Sequence, residues 1–260
     1  MGLKHSALRE PVSSGSPEID EVLGGGYRRA SSILVTGGAG TGKTTLLSTF
    51  VEAACRRGEK VLFVNFEESA EAMMSAMSSI NIDLDSFFRD GTLQMITAMP
   101  ESMGAEEHFF RVFQAIDQFV PDHVLVDAVS ATLRISTPQA AFEYMMRLVN
   151  ICKERSITTL MSNQWGGSAI NIEQSSNLGI SSLVDALLLL RYVPKGAEIG
   201  RLLVVVKSRG MAHSNQYHEF KITDQGIVLQ GPFEEGEHPG SDLKGGQGPP
   251  AFHLRTWESK

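Results

Sequence analysis

Cysteine is scarce in this sequence: Cys55 and Cys152 are the two among 260 residues. Each sits inside a stretch with helical apolar spacing, which suits small buried apolar groups and gives no disulfide framework or cysteine metal site to expect. Positive charge is short as well, with 23 Lys and Arg against 30 Asp and Glu, a formal net charge of −7. With a pI near 5.5, a nucleic-acid partner would need a local basic patch that the total conceals, so none is expected. Long apolar runs are also missing. No stretch approaches the ~18 apolar residues that a membrane span needs, and the opening MGLKHSALREPVSS has no apolar run behind its basic residues. The expectation is a soluble protein of the reducing cytoplasm with no membrane association. Gly2 and Ser6 fit the outline of an acylation signal, but so short a pattern arises by coincidence.

What is present is a core-forming composition, 42% hydrophobic, enough for one substantial domain. Apolar, β-branched runs alternate with helical patterns, which implies βαβ units and a mostly parallel sheet flanked by helices, an α/β fold. Strands are expected at residues 31–36 (SSILVT), 61–66 (VLFVNF), 93–97, 123–127 (HVLVD) and 158–162. Helices are expected after the first of these up to Gly58, at about 70–79, at about 106–119 ahead of Pro121, and from a Thr137 cap with Pro138 to about Arg155. Three later runs, at 184–193, 201–207 and 217–222, are joined by short turns and read as antiparallel strands added to the parallel core. From Glu234 the chain becomes EEGEHPGSDLKGGQGPP, too poor in apolar residues to pack. The expected division is an arm at 1–12, one domain at 13–233 and a flexible tail at 234–260. No internal repeat is evident.

Residues 37–44 read GGAGTGKT and fit G-x-x-x-x-G-K-[ST], placed between an apolar strand and a helix. In that setting Gly38, Gly40, Thr41 and Gly42 let successive backbone N–H groups face a β-phosphate, and the helix N-terminus adds its positive dipole end. Lys43 would neutralise the β- and γ-phosphates and Thr44 would hold Mg²⁺, with Thr45 next along the helix. The expected cofactors are ATP and Mg²⁺. A glycine-rich turn with a chance lysine is the bland alternative, and the full pattern in strand–turn–helix context outweighs it.

Asp127 ends the strand HVLVD, where a carboxylate in a P-loop protein supports the magnesium. The alternative, an ordinary strand-end Asp capping a turn, would prevail without the P-loop. Glu67 and Glu68 follow the strand VLFVNF and so sit where ligands of open α/β sheets gather. One of them can orient or deprotonate an attacking nucleophile, and Glu67 joins Thr44 and Asp127 as an oxygen group for the metal. Equally, they can open the next helix, where negative charge suits the dipole. Asn163 and Gln164 end a further core strand and can sense a γ-phosphate, a weak signal by itself. Lys207 and Arg209, in KSRG, read from the residues alone as a solvated strand end, with an arginine-finger pair as the alternative.

Taken together these segments resemble the RecA-like ATPases, and within them the KaiC family of circadian-clock ATPases and autokinases. The resemblance covers about residues 10–230 and rests on VSSGSPEIDEVLGGGY ahead of the P-loop, FEES, PES at 100–102, VLVDAVSA, SNQ, the segment from ISS to LLLLRYV, and KSRG. It is closer to the second, autokinase half of the family's double-domain members. It implies a hexameric ring with ATP between subunits, a glutamate base at Glu67 or Glu68, and Lys207 and Arg209 reaching a neighbour's γ-phosphate. It also places Ser181 and Ser182 on the phosphoacceptor pair. Ser182 stands where the clock protein has threonine and Asn177 where that half has an acidic residue, and the first domain of the pair has no counterpart here.

The resemblance therefore implies an ATPase with serine autokinase activity, in clock-like or signalling regulation, with a regulatory protein partner at the C-terminal tail. Two other readings compete with it. A RecA-like DNA-dependent ATPase would use residues 165–182 as a DNA loop, yet that stretch has no Lys or Arg and one aromatic, Trp165. A nucleotide-gated scaffold would use ATP to fix assembly and partner docking without kinase activity.

Overall fold

The computed structural model describes residues 10–97, 105–134, 137–164, 182–224 and 226–233. An antiparallel ribbon of β1 (Pro11–Val12) and β2 (Tyr27–Arg28) brackets the short helix α1 (Pro17–Val22). Then β3 (Ser32–Gly37) leads into α2 (Lys43–Arg56), and β4 (Val61–Asn65) into α3 (Ala70–Ser78) and α4 (Asp85–Asp90). Next β5 (Leu93–Thr97) precedes α5 (Ala105–Phe119), and β6 (His123–Asp127) passes through a 3-10 turn (Val129–Arg134) to α6 (Pro138–Glu154) and β7 (Thr158–Gln164). Four strands close the described chain: β8 (Ala186–Lys195), β9 (Glu198–Ser208), β10 (His218–Thr223) and β11 (Gly226–Pro232).

Helix ends fall where side chains can satisfy the orphan backbone groups. Ser69 Oγ accepts from Ala72 N at 3.2 Å to start α3, and Thr137 Oγ1 accepts from Ala140 N at 3.2 Å to start α6, with Pro138 in its first turn. Past α5, Val120 takes a positive φ of 50° ahead of Pro121, so the helix cannot continue.

Nine strands form one sheet in the order β11-β10-β9-β8-β3-β7-β6-β4-β5. From β5 to β8 neighbours run parallel, and from β8 to β11 antiparallel. This corrects one expectation: β8 belongs to the parallel core on its β3 side and turns antiparallel only toward β9. Short turns revealed the second relation, whereas the parallel partner lies 150 residues back in sequence and leaves no local trace. α1, α4, the 3-10 turn and β11 were not expected. The two α-helices are six residues each, too short to register a 3.6-residue period, and Gly226, Gly231 and Pro232 interrupt the strand pattern of β11.

The parallel strands alternate between two cores. Ile33, Val35, Phe63 and Leu125 pack with Leu46, Leu47, Phe50 and Val51 of α2. Leu34, Leu62, Val64, Val124 and Val126 pack on the other face with Val112 and Ile116 of α5 and Met145, Leu148 and Val149 of α6. With both faces covered, the strands read as continuous apolar runs. Phe50 is central, its ring edge-on to Tyr27 at 5.5 Å and to His123 at 5.0 Å. Each such side chain contributes about 1.5–3 kcal/mol by its burial. The result is the RecA-like arrangement, and its parallel half has two edges, one at the N-terminal and one at the C-terminal ends of the strands. The motif PES at 100–102, the segment 165–181 and the tail 234–260 lie outside the described residues.

Candidate functional site

At the C-terminal edge of the parallel strands, β3 ends at Gly37 and the chain turns tightly into α2. Two glycines make the turn possible. Gly42 caps α2 at φ 105°, and a Cβ on it would lie 3.0 Å from Ile222 Cδ1; Gly40 has φ 71°, and a Cβ there would meet the Tyr192 hydroxyl at 2.7 Å. Any side chain at either position is both strained and obstructed. Lys43, the first residue of α2, is 8% exposed and folds back so that Nζ donates to the Gly38 carbonyl at 2.8 Å. Burial lowers its pKa, opposed by the negative charges of Asp127 and Glu67. The loop thus holds a desolvated cation against its own carbonyl beside the N-terminus of a 14-residue helix, an arrangement suited to an anion.

The next residue, Thr44, donates its hydroxyl to Asp127 Oδ2 at 2.7 Å. Asp127 ends β6, is 2% exposed, and receives the Ser162 hydroxyl on its other oxygen. Its backbone carbonyl accepts from Phe66 N at 2.7 Å, tying the end of β4 to that of β6. A hydroxyl and a carboxylate in contact are hard oxygen groups of the kind Mg²⁺ takes. Among the described residues there is no cluster of three or more His, Cys, Asp and Glu that could hold a metal ion.

Glu67 and Glu68 leave β4 in an Asx turn: Asn65 Oδ1 accepts from Glu67 N at 2.9 Å and Glu68 N at 3.3 Å. Both are exposed and precede the Ser69 cap, so they stand on a turn ahead of α3 rather than in its first turn. Asn163 pairs with Thr36 and Gln164 with Gly37 in the β3–β7 register, with Asn163 buried and Thr45 buried in the first turn of α2. One edge of the sheet therefore collects Gly38 to Thr45, Asp127, Asn163, Gln164 and the Glu67–Glu68 turn.

The other candidates lie at the opposite edge. Asp185 N donates to the Ser32 carbonyl at 2.8 Å, at the start of β3, and Arg209 N donates to the Asp185 carbonyl at 2.8 Å. Arg209 Nη2 reaches the Ser182 carbonyl at 3.0 Å. Ser182 and Arg209 are exposed, and Lys207 is half-buried in β9, its pKa lowered by burial and by the charge of Arg209. Ser181 lies outside the described residues. From Ser32 to Gly37 the strand advances about 17 Å, so Ser182, Lys207 and Arg209 do not meet the P-loop of their own chain.

Three residues escaped the sequence reading. Asn65 could have been found, since an Asn two and three residues before Glu67 and Glu68 carries the Asx-turn signature. Ser162 stood inside the quoted SNQ, but its pairing with Asp127 depends on the β6–β7 register, which no local pattern reveals. Asp185 likewise gains its partners Ser32 and Lys153 only through the packing of distant elements.

Comparison with known proteins points one way. The family described as "ATPase: KaiC" matches residues 12–233. Circadian clock protein KaiC2 of Synechocystis sp. is 37% identical over 228 residues, covering 87% of this chain and 40% of the relative. Circadian clock protein KaiC3 of the same organism is 34% identical over 234 residues, 88% of this chain and 45% of the relative. The circadian clock oscillator protein KaiC of Thermosynechococcus vestitus is 37% identical over 240 residues, 91% and 46%. The chain spans less than half the length of these relatives.

Proposed function

The chain belongs to the KaiC family of ATPases, and on that premise we propose that it binds Mg·ATP at its P-loop and turns it over in a hexameric ring. Each site would be shared: one copy supplies the P-loop edge and its neighbour supplies Lys207, Arg209 and the Ser181–Ser182 pair. The observation that carries the nucleotide reading is the contact of Thr44 with Asp127 beside the buried Lys43. The separation of the two edges within one chain supports the sharing, since Arg209 can serve a phosphate only on another copy.

In this reading the backbone N–H groups of residues 38–45 and Lys43 hold the β- and γ-phosphates, while Thr44, Asp127 and Glu67 hold Mg²⁺. The ion, when bound, neutralises phosphate charge. Asn163 faces the γ-phosphate. The oxygen of Ser181 or Ser182 attacks the γ-phosphorus, its proton passes to Glu67 or Glu68, the bond from phosphorus to the β-bridging oxygen breaks, and ADP leaves. Positioning does most of the work, and the exposed Asx turn places both glutamates where an incoming group can reach them. Water in place of serine gives hydrolysis. We further assign the chain to clock-like or signalling regulation, following the relatives' names, with a protein partner at the tail 234–260.

The test is intact-mass analysis of the chain after incubation with Mg·ATP, with peptide mapping, beside a Ser181→Ala, Ser182→Ala double variant. A phosphate that maps to this pair and is lost in the variant is the expected result. ADP release with no phosphate on protein would leave a hydrolase and remove the autokinase part.

A further inference from the structure

The cationic edge is organised by a residue that no motif singled out. Asp185 joins four elements at once. Its Oδ2 accepts from Ser32 N at 2.9 Å and from Ser32 Oγ at 3.0 Å, where β3 begins. Lys153, in the last turn of α6, donates to Oδ1 at 3.1 Å and lies 2.9 Å from Oδ2. The Asp185 backbone opens β8, and its carbonyl receives the N–H of Arg209 just past β9. Three residues before it, the Ser182 carbonyl receives the guanidinium of that same Arg209. Ser182 and Arg209 are exposed, whereas Asp185 is half-buried. The finger and the acceptor segment are the open ends of one clamp with a carboxylate at its hinge.

A half-buried ion pair is a poor way to gain stability alone, since a well-packed apolar pair does as well, but it fixes direction. A cavity of about 260 Å³ borders the cluster, lined by Tyr27, Arg28, Lys153, Asp185 and Arg209 among others. Among the described residues, the charged groups thus border open space that another molecule can enter.

We propose that Asp185 is a positioning residue for the site that a neighbouring copy completes, holding Arg209 and the Ser182 segment in the register that meets the neighbour's γ-phosphate. This rests on the shared-site reading above. Asp185 touches no reacting atom. It acts through Arg209 and Ser182, with Lys153 and Ser32 keeping its carboxylate aligned.

The experiment mixes variants of the full chain. Asp185→Asn keeps the side-chain shape and loses the ion pair with Lys153. Its ATP turnover is expected to fall roughly 10- to 100-fold, as misplaced reacting groups do, while KM for ATP stays unchanged because the P-loop is untouched. Mixed with Lys43→Ala, which has an intact cationic edge but no working P-loop, Asp185→Asn recovers turnover well above the sum of the two alone. Arg209→Ala mixed with Lys43→Ala is the control. If that control recovers and the Asp185→Asn mixture does not, Asp185 acts within its own chain and the inference is overturned while the shared site stands. If neither mixture recovers, the shared site itself fails. Should Asp185→Asn not fold, Lys153→Met releases the carboxylate without removing it and gives the same readouts, and unchanged turnover in that variant overturns the inference.

Discussion

At the P-loop edge, the cation, the hydroxyl and the anion-facing backbone come from one contiguous stretch of sequence, residues 38–45, and Asp127 is the main outside partner. At the opposite edge, Ser182, Asp185, Lys207 and Arg209 come from two strand ends, and their alignment depends on β3 and α6 as well. The first edge closes on itself, Lys43 on Gly38 and Thr44 on Asp127. The second leaves Arg209 and Ser182 facing outward. A contiguous motif can bind a ligand wherever its strand and helix form, whereas a dispersed one depends on correct pairing of the whole sheet. The two edges should therefore fail differently when altered.

The largest effects test that contrast directly. Lys43→Ala is expected to abolish ATP binding together with turnover, while Arg209→Ala keeps binding and loses turnover by about 10³-fold, as removal of an arginine finger does. Equilibrium binding of a fluorescent ATP analogue, run beside ADP release, separates the two. If Arg209→Ala lost binding and turnover in parallel, the edges would not be functionally distinct. Asp127→Asn comes next. It still accepts from Thr44 or Ser162 but has lost its charge, so turnover should fall by about 10²-fold or more with a nearly unchanged melting temperature. A large drop in melting temperature would make Asp127 a structural member of the P-loop edge.

The same contrast explains what could be read from the sequence. The placement of the P-loop, Asp127 and Glu67–Glu68 at strand ends was legible because strand, turn and helix follow one another in sequence. So were the α/β class, the Thr137–Pro138 helix start and the strands 93–97 and 123–127. At the other edge Lys207 and Arg209 looked like an ordinary strand end, and the family resemblance alone drew attention to them. Asp185 drew none, because its partners lie 153 and 32 residues away in sequence. The parallel side of β8 was missed for the same reason: pairing across a long sequence gap leaves no periodic signature.

A moderate effect is expected from pH, and it belongs to the edge opposite the P-loop. There Glu59 is paired with Arg29, with Arg57 at 2.9 Å and with His123 at 2.9 Å. Burial alone would raise the pKa of Glu59, but Arg29 and His123 hold it down at about 2, against an ordinary value of 4.5. Asp185 is likewise held below its ordinary range: burial opposes this, and the Ser32 N–H and Lys153 outweigh it. A depressed carboxylate contributes stability above its unfolded pKa and loses it as pH falls toward the folded one. Burial also lowers the pKa of His123, and its buried Nδ1 has no hydrogen-bond partner among the described residues, so a second ring proton would go unsatisfied there. Its folded state takes up protons less readily than the unfolded chain, and stability again falls as pH drops below 6.5. The melting temperature should therefore decline from pH 6.5 downward and steepen below 4.5. Glu59→Gln should flatten the lower part of that decline. An unchanged acid limb would move the sensitivity elsewhere.

The smallest effects sharpen the comparison most finely, because two caps of equal bond length start one helix beside the P-loop edge and one that leads to the other edge. Ser69 caps α3 directly after the Glu67–Glu68 turn, and Thr137 caps α6 at the end remote from Lys153, each at 3.2 Å. Replacing either with alanine removes one cap bond, a cost of about 1 kcal/mol, seen as a fall of roughly 2–4 °C in melting temperature. Stability should thus respond alike. Turnover should not, because loosening the start of α3 frees the turn that carries the two glutamates, whereas the 17 residues of α6 separate Thr137 from the Lys153–Asp185 pair. Ser69→Ala is expected to lower turnover and Thr137→Ala to leave it as it was. Equal turnover in the two variants would show that the Asn65 bonds hold the glutamates by themselves, and that the P-loop edge ends at the Asx turn rather than at the helix behind it.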